Sequence, residues 1–202
     1  MTKAFSLPLP ALLALALSAS ACTTMTPAGL IAASRLDPLN TPPSEIAVAV
    51  GVPETLRLAD GDAEFRMAFR GGSAASTILL EEVAELRLAP AGQAEPQPNA
   101  TDETVYVARI APEDTARIAA LQAEIRTLRE AGTDGAGTLN IRVVGGCYVG
   151  AAPASIMVST WLQTAPADGF VPLTRRQGMV RALGARDAAM LLAELTPCDA
   201  DD

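Results

Sequence analysis

Three thiols, at Cys22, Cys147 and Cys198, are the first residues of this chain that could do chemistry, and the sequence contains no histidine to help them. Without histidine there is no Ser–His or Cys–His nucleophile pair and no imidazole metal ligand. The one lysine is Lys3, and every cation from Arg35 onward is arginine. A lysine-free domain forms no Schiff base and has no Walker-type phosphate lysine. Glu81, Glu82 and Glu85 cluster, but their spacing supports neither acid–base work nor a Ca²⁺ loop, so they read as a solvated face. Arg175, Arg176 and Arg181 could grip an anionic partner, such as a peptidoglycan carboxylate or a lipopolysaccharide phosphate. Gly145-Gly146-Cys147-Tyr148-Val149-Gly150 lacks the G-x-x-x-x-G-K pattern and reads as a bulge or close backbone approach around the cysteine. The rings of Tyr148, Trp161 and Phe170 read as core rather than as a sugar-stacking platform. No metal site and no cofactor are expected.

The surroundings of these residues narrow the classes further. The 202 residues suit one folded domain, and a net charge of −8 with a pI near 4.6 repels phosphate backbones, which excludes nucleic acid as a partner. Half the residues are apolar but only 3% are aromatic, so Ala, Leu and Val build the core.

The first 22 residues have the layout of a secretory leader. Met1–Ser6 is short and carries Lys3, Leu7–Leu17 is an apolar run, and Ser18–Ala21 is small and polar. The apolar run is too short for a bilayer span, which needs about 20 residues. Ala19-Ser20-Ala21-Cys22 resembles the lipobox of bacterial lipoproteins, although that class prefers Leu where Ala19 stands. The resemblance implies that Cys22 is the lipid attachment site, freed by cleavage before it, and that the membrane partner is reached through acyl chains. Each buried CH₂ contributes ~0.8 kcal/mol, and two or three chains hold firmly where one is marginal. Thr23 in place of Asp points to the periplasmic face of the outer membrane. The alternatives are ordinary cleavage after Ala21, leaving a periplasmic protein with a free Cys22 thiol, and a chance cysteine in a cytoplasmic protein.

Assigning Cys22 to lipid leaves Cys147 and Cys198 as an even pair in an oxidising compartment, which suggests a disulfide. A loop of that length is worth roughly 4 kcal/mol in the chain-entropy model. The alternative is a reactive Cys147, which would have no C-x-x-C partner and no histidine to lower its pKa.

Elements that position these residues follow from periodicity. Residues 22–44 read as a Pro-rich tether, with one or two helical turns over Gly29–Leu36. Ile46–Val50 is a continuous apolar strand, and Phe65, Met67 and Phe69 alternate with charged neighbours, so Leu56–Phe69 reads as a hairpin about Asp60-Gly61. Ile78 to Leu88 reads as a long strand, although its LLEEVAEL core could equally be a helical turn. Ala89–Thr101 is a Pro-rich loop, and Val105 and Val107 mark another strand. Pro112–Ala131 is a helix whose stripe Ile118, Leu121, Ile125 and Leu128 should pack on the domain's own sheet. Leu139–Val143, Ile156–Leu162 and Phe170–Leu173 read as a three-strand meander, and Ala185–Leu195 as a second helix before Thr196-Pro197 and an acidic tail.

The expected architecture is α+β: mostly antiparallel sheet of about seven to eight strands with two packed helices, arranged as leader (1–21), lipidated cysteine and tether (22–44) and one periplasmic domain (45–202). The expected function is a non-enzymatic binding, assembly or scaffolding lipoprotein with an envelope protein or glycan partner. The alternative is a hydrolase using Asp, Glu, Ser or Thr without His.

Overall fold

A computed structural model of the chain describes residues 36–73, 76–93 and 95–199. The leader, Cys22, most of the tether and the last three residues of the acidic tail lie outside the described residues.

Alternating apolar residues generate most of the structure. Strands β1 (Ala47–Pro53), β3 (Ala63–Ser73), β4 (Ser76–Pro90), β5 (Glu103–Ile110), β6 (Gly135–Val143), β8 (Met157–Gln163) and β9 (Val171–Gly178) form one sheet of order β6-β3-β4-β5-β1-β8-β9, in which every neighbouring pair is antiparallel. Three two-residue strands, β2 (Leu56–Arg57), β7 (Cys147–Tyr148) and β10 (Thr196–Pro197), form a small second sheet with β7 in the middle. Helix α1 (Thr115–Glu130), the five-residue α2 (Met179–Leu183) and α3 (Ala185–Glu194) complete an α+β fold.

The sheet curls around its apolar face. Val48, Val50 and Val52 of β1, Phe65, Met67 and Phe69 of β3, and Ala84 and Leu86 of β4 meet Ile118, Leu121 and Ile125 of α1 in one core. Burying each such side chain contributes roughly 1.5–3 kcal/mol. The α1 stripe therefore packs on the domain's own sheet, as its spacing predicts. Curling also brings the two edge strands close: Leu139 and Ile141 of β6 and Leu173 and Thr174 of β9 line one slot of about 250 Å³.

The entry of α1 is joined to the sheet by one buried carboxylate. Asp114 accepts hydrogen bonds from the Glu85 amide at 2.8 Å and from Arg117 at 2.6 Å, tying the helix entry to β4. Burial pushes this carboxyl up, but the Arg117 and Glu85 hydrogen bonds and the Arg117 and Arg87 charges together hold it below the ordinary aspartate value. Farther along α1, Gln122 donates to the carbonyls of Pro38 (2.6 Å) and Thr41 (2.9 Å), and Arg126 donates to that of Leu39. The last residues read as tether are thus packed on the domain: Thr41 and Pro43 are buried.

Two local expectations are corrected, and one left open between strand and helix is settled as strand. Leu56–Phe69 is not a hairpin: β2 pairs with β7, while β3 is flanked by β4 on one side and β6 on the other, and its sequence-adjacent antiparallel partner is β4, in register to Ser73 opposite Ser76. The three-strand meander does not form, because β6 and the β8–β9 hairpin occupy opposite ends of the strand order and the chain crosses between them through the small sheet. Finally, LLEEVAEL is strand throughout, since β4 must run unbroken to pair with both β3 and β5.

Candidate functional site

The outer face of β5, β1 and β8 carries the densest polar chemistry among the described residues. Central β1 offers only Ala47, Ala49 and Gly51 to this side, because its valines point inward. The small residues leave room for larger neighbours. Ala49 lies opposite Val107 and Trp161, and Gly51 lies opposite Val105 and Ser159. Ala49, Val105, Val107 and Trp161 form a second, separate apolar cluster, against which Ala91 and Phe170 pack.

Beside this cluster Ser159, fully buried, is the hub of a hydrogen-bond network. Its hydroxyl donates to Glu103 Oε1 at 2.5 Å and accepts from Asn99 Nδ2 at 3.1 Å and from the Arg176 amide at 3.0 Å. The other Glu103 oxygen accepts from the Asn99 amide. Glu103 is 6% exposed and lies over Gly51, where an added Cβ would sit 2.6 Å from Oε1, so a side chain there would have to displace the carboxylate. Arg176 adopts φ 43°, unusual for a residue with a side chain, at a bulge where β9 slips against β8. Its guanidinium meets Asp102 at 2.8 and 3.2 Å, and that hydrogen bond holds the Asp102 carboxyl below its usual value. A buried polar group needs partners, and here each one has them.

What this network holds is the loop 91–100. Asn99 fixes its far end to Ser159 and Glu103, and the Ala91 amide fixes its near end to the Val105 carbonyl at 3.0 Å. The loop forms one wall of an open cleft of about 430 Å³. Glu95, Pro96 and Gln97 line that wall, and Trp161, Gln163, Pro166, Gly169 and Phe170 line the floor and the opposite side. Trp161 is only 6% exposed and Phe170 is half-buried, so the tryptophan is floor and the phenylalanine is rim. The cleft size falls within the ~300–1,000 Å³ of small-molecule sites.

Residues singled out by sequence fall elsewhere. Cys147 and Cys198 are joined in a disulfide that spans 51 positions and staples β7 to the strand after α3. Gly145 and Gly146 are places of close backbone approach: a Cβ on Gly146 would lie 2.8 Å from the Arg57 carbonyl, and its φ is 128°. Of the three arginines, Arg176 is held by Asp102, while Arg175 and Arg181 are exposed on β9 and α2. Strand alternation puts Glu81 and Glu85 on one face of β4 and Glu82 on the other. Glu81 pairs with Arg66 and Glu82 with Arg117. No group of three or more acidic or sulfur ligands that could hold a metal occurs among the described residues.

Sequence reasoning passed over Glu103, Ser159 and Asn99. For Glu103 and Ser159 the signal was one polar residue on an otherwise apolar strand; Asn99 lies in the loop before β5 and carried none. Comparison of the chain with protein-family models, with curated proteins and with solved structures finds no match.

Proposed function

We propose that this chain is a lipid-anchored lipoprotein of the cell envelope, held by Cys22 at the periplasmic face of the outer membrane, whose folded domain is a non-enzymatic binding module. The observation that carries the location is the Cys147–Cys198 disulfide, formed between residues far apart in sequence. Such bonds persist in oxidising compartments, and the leader resembling a lipobox points the same way. With these two cysteines joined, Cys22 is the thiol left over for lipid.

Binding rather than hydrolysis is supported by the state of the reactive groups. One histidine-free hydrolase design sets a serine beside a carboxylate, and Ser159 with Glu103 has that arrangement. Ser159, however, is fully buried and its hydroxyl is engaged by three partners, so no scissile bond can approach it. The Trp161–Phe170 cleft is instead open, and the loop that forms one of its walls is anchored by that same network, which suits recognition.

The test is metabolic labelling with a palmitate analogue in cells producing the full chain. Wild type should be tagged and sediment with membranes, and Cys22→Ala should be neither. Labelling that survives Cys22→Ala sinks the anchor. Hydrolysis of any ester or glycoside that is lost in Ser159→Ala while the fold persists would favour the hydrolase.

A further inference from the structure

From the chemistry of its walls, we infer that the Trp161–Phe170 cleft binds a neutral saccharide. The inference rests on the preceding reading only in taking the domain to be a binding module.

Each lining group points to the same ligand class. Nothing cationic lines the cleft, and the chain carries a net charge of −8, so a phosphate or carboxylate ligand would enter against the field with nothing to pair with. The polar groups present are acceptors with unused capacity. Gln97 Nε2 is already turned to the carbonyls of Gln93 (3.4 Å) and Glu95 (3.1 Å), and Gln163 Nε2 to that of Pro166 (3.5 Å). Each amide oxygen therefore remains to accept, and Gln163 keeps one N–H to donate. Glu95 accepts from the Gly92 amide through one oxygen and keeps the other. A ligand that matches three acceptors beside an aromatic ring must bring several donors on a compact body with an apolar face. A pyranose does this, with hydroxyls around its edge and C–H bonds on its faces. A proline-rich peptide, the other common occupant of aromatic clefts, has no N–H at its prolines and would leave these acceptors without partners. The same wall is preset before any ligand arrives, because Asn99, Glu103 and Ser159 anchor the loop that carries Glu95 and Gln97. Preorganisation of this kind lowers the ordering cost of binding.

Trp161 is the sole tryptophan of the chain, so selectively excited tryptophan emission reports this cleft alone. The full chain, purified from membranes in mild detergent, is titrated with three probes: chitotriose, maltotriose and a proline-rich decapeptide. The expected result is a saturable change in Trp161 emission with at least one trisaccharide at concentrations below about 10 mM. Phe170→Ala and Gln163→Ala should each weaken it roughly tenfold, a loss of about 1.4 kcal/mol. Val180→Ala, on the exposed side of α2, should leave it unchanged. Preference between the two trisaccharides distinguishes an N-acetylated glycan from a plain hexose chain. No saturable response to either sugar overturns the inference, as does a response to the peptide alone or one that survives both cleft variants. Where Phe170→Ala fails to fold by circular dichroism, Gln97→Ala on the loop surface takes its place. A peptide-only response would leave the binding-module reading standing while removing the saccharide. Loss of palmitate labelling with sugar binding intact would do the reverse to the anchor.

Discussion

On the inner face of the β5–β1–β8 trio, Ala108, Val48 and Leu162 lie side by side in the core; on the outer face of the same strands, Val105, Gly51 and Ser159 do. Both rows are well buried, but they are held by different forces. The inner row is stabilised by apolar area and shape, and any residue of suitable volume serves there. The outer row surrounds a carboxylate and a hydroxyl that would be costly to bury unless every lone pair and proton is matched. An inner position therefore responds to volume and an outer one to hydrogen-bond count. The outer arrangement also fixes a loop, and with it the cleft, which the inner face cannot do.

The strongest test of that difference is on the inner side. Phe65→Ala empties a fully buried ring site and should lower unfolding free energy by about 4 kcal/mol in a denaturant titration. The outer counterpart is Ser159→Ala, which changes volume by one oxygen only. It strips a partner from Glu103, Asn99 and the Arg176 amide, and should cost about 3 kcal/mol and raise proteolysis within loop 91–100. A neutral Ser159→Ala would show that area alone holds both faces, and would break the comparison. Gly51→Ala adds apolar volume where the inner rule would welcome it, yet should destabilise by about 2 kcal/mol because its methyl meets Glu103. Stabilisation by that methyl would erase the distinction from the other direction.

The smallest effect concerns acid. Asp114 has a folded pKa below its unfolded value, so the stability it contributes is present above the ordinary aspartate range and is lost as pH falls through the folded pKa. Asp114→Asn should therefore lower stability at neutral pH by about 1 kcal/mol and flatten the loss below about pH 4. A variant that tracks wild type down to pH 3 would remove Asp114 as the lock on the α1 entry.

Much of the inner face was legible from local pattern. The alternation of Phe65, Met67 and Phe69 marks β3, and the stripe Ile118, Leu121, Ile125 marks α1, because the periods of 2 and 3.6 are properties of single elements. The pairing errors came from the same source. Asp60-Gly61 is a good turn signal, but the turn it makes leads from β2 in one sheet into β3 in another. Strand spacing likewise suggested a meander, whereas four strands stand between β6 and β8 in the sheet order. Little of the cleft was legible. Asn99 appeared as part of a polar loop, Ser159 as one residue of an apolar strand, and Trp161 as core, which it is, while also flooring an open site.

By itself the sequence determined which chemistries are absent, since no histidine and no lysine beyond Lys3 can be supplied by folding. It also determined most of the long elements' types and the parity of the cysteines. Only the tertiary structure decided that Cys147 and Cys198 meet, that strands from both ends of the chain share one sheet, and that Asn99, Glu103, Ser159 and Arg176 converge. The physical reason is range. Periodicity and capping act within a few residues, whereas the Ser159 contacts to Glu103 and Asn99 span 56 and 60 positions and exist only once the curled sheet sets the register.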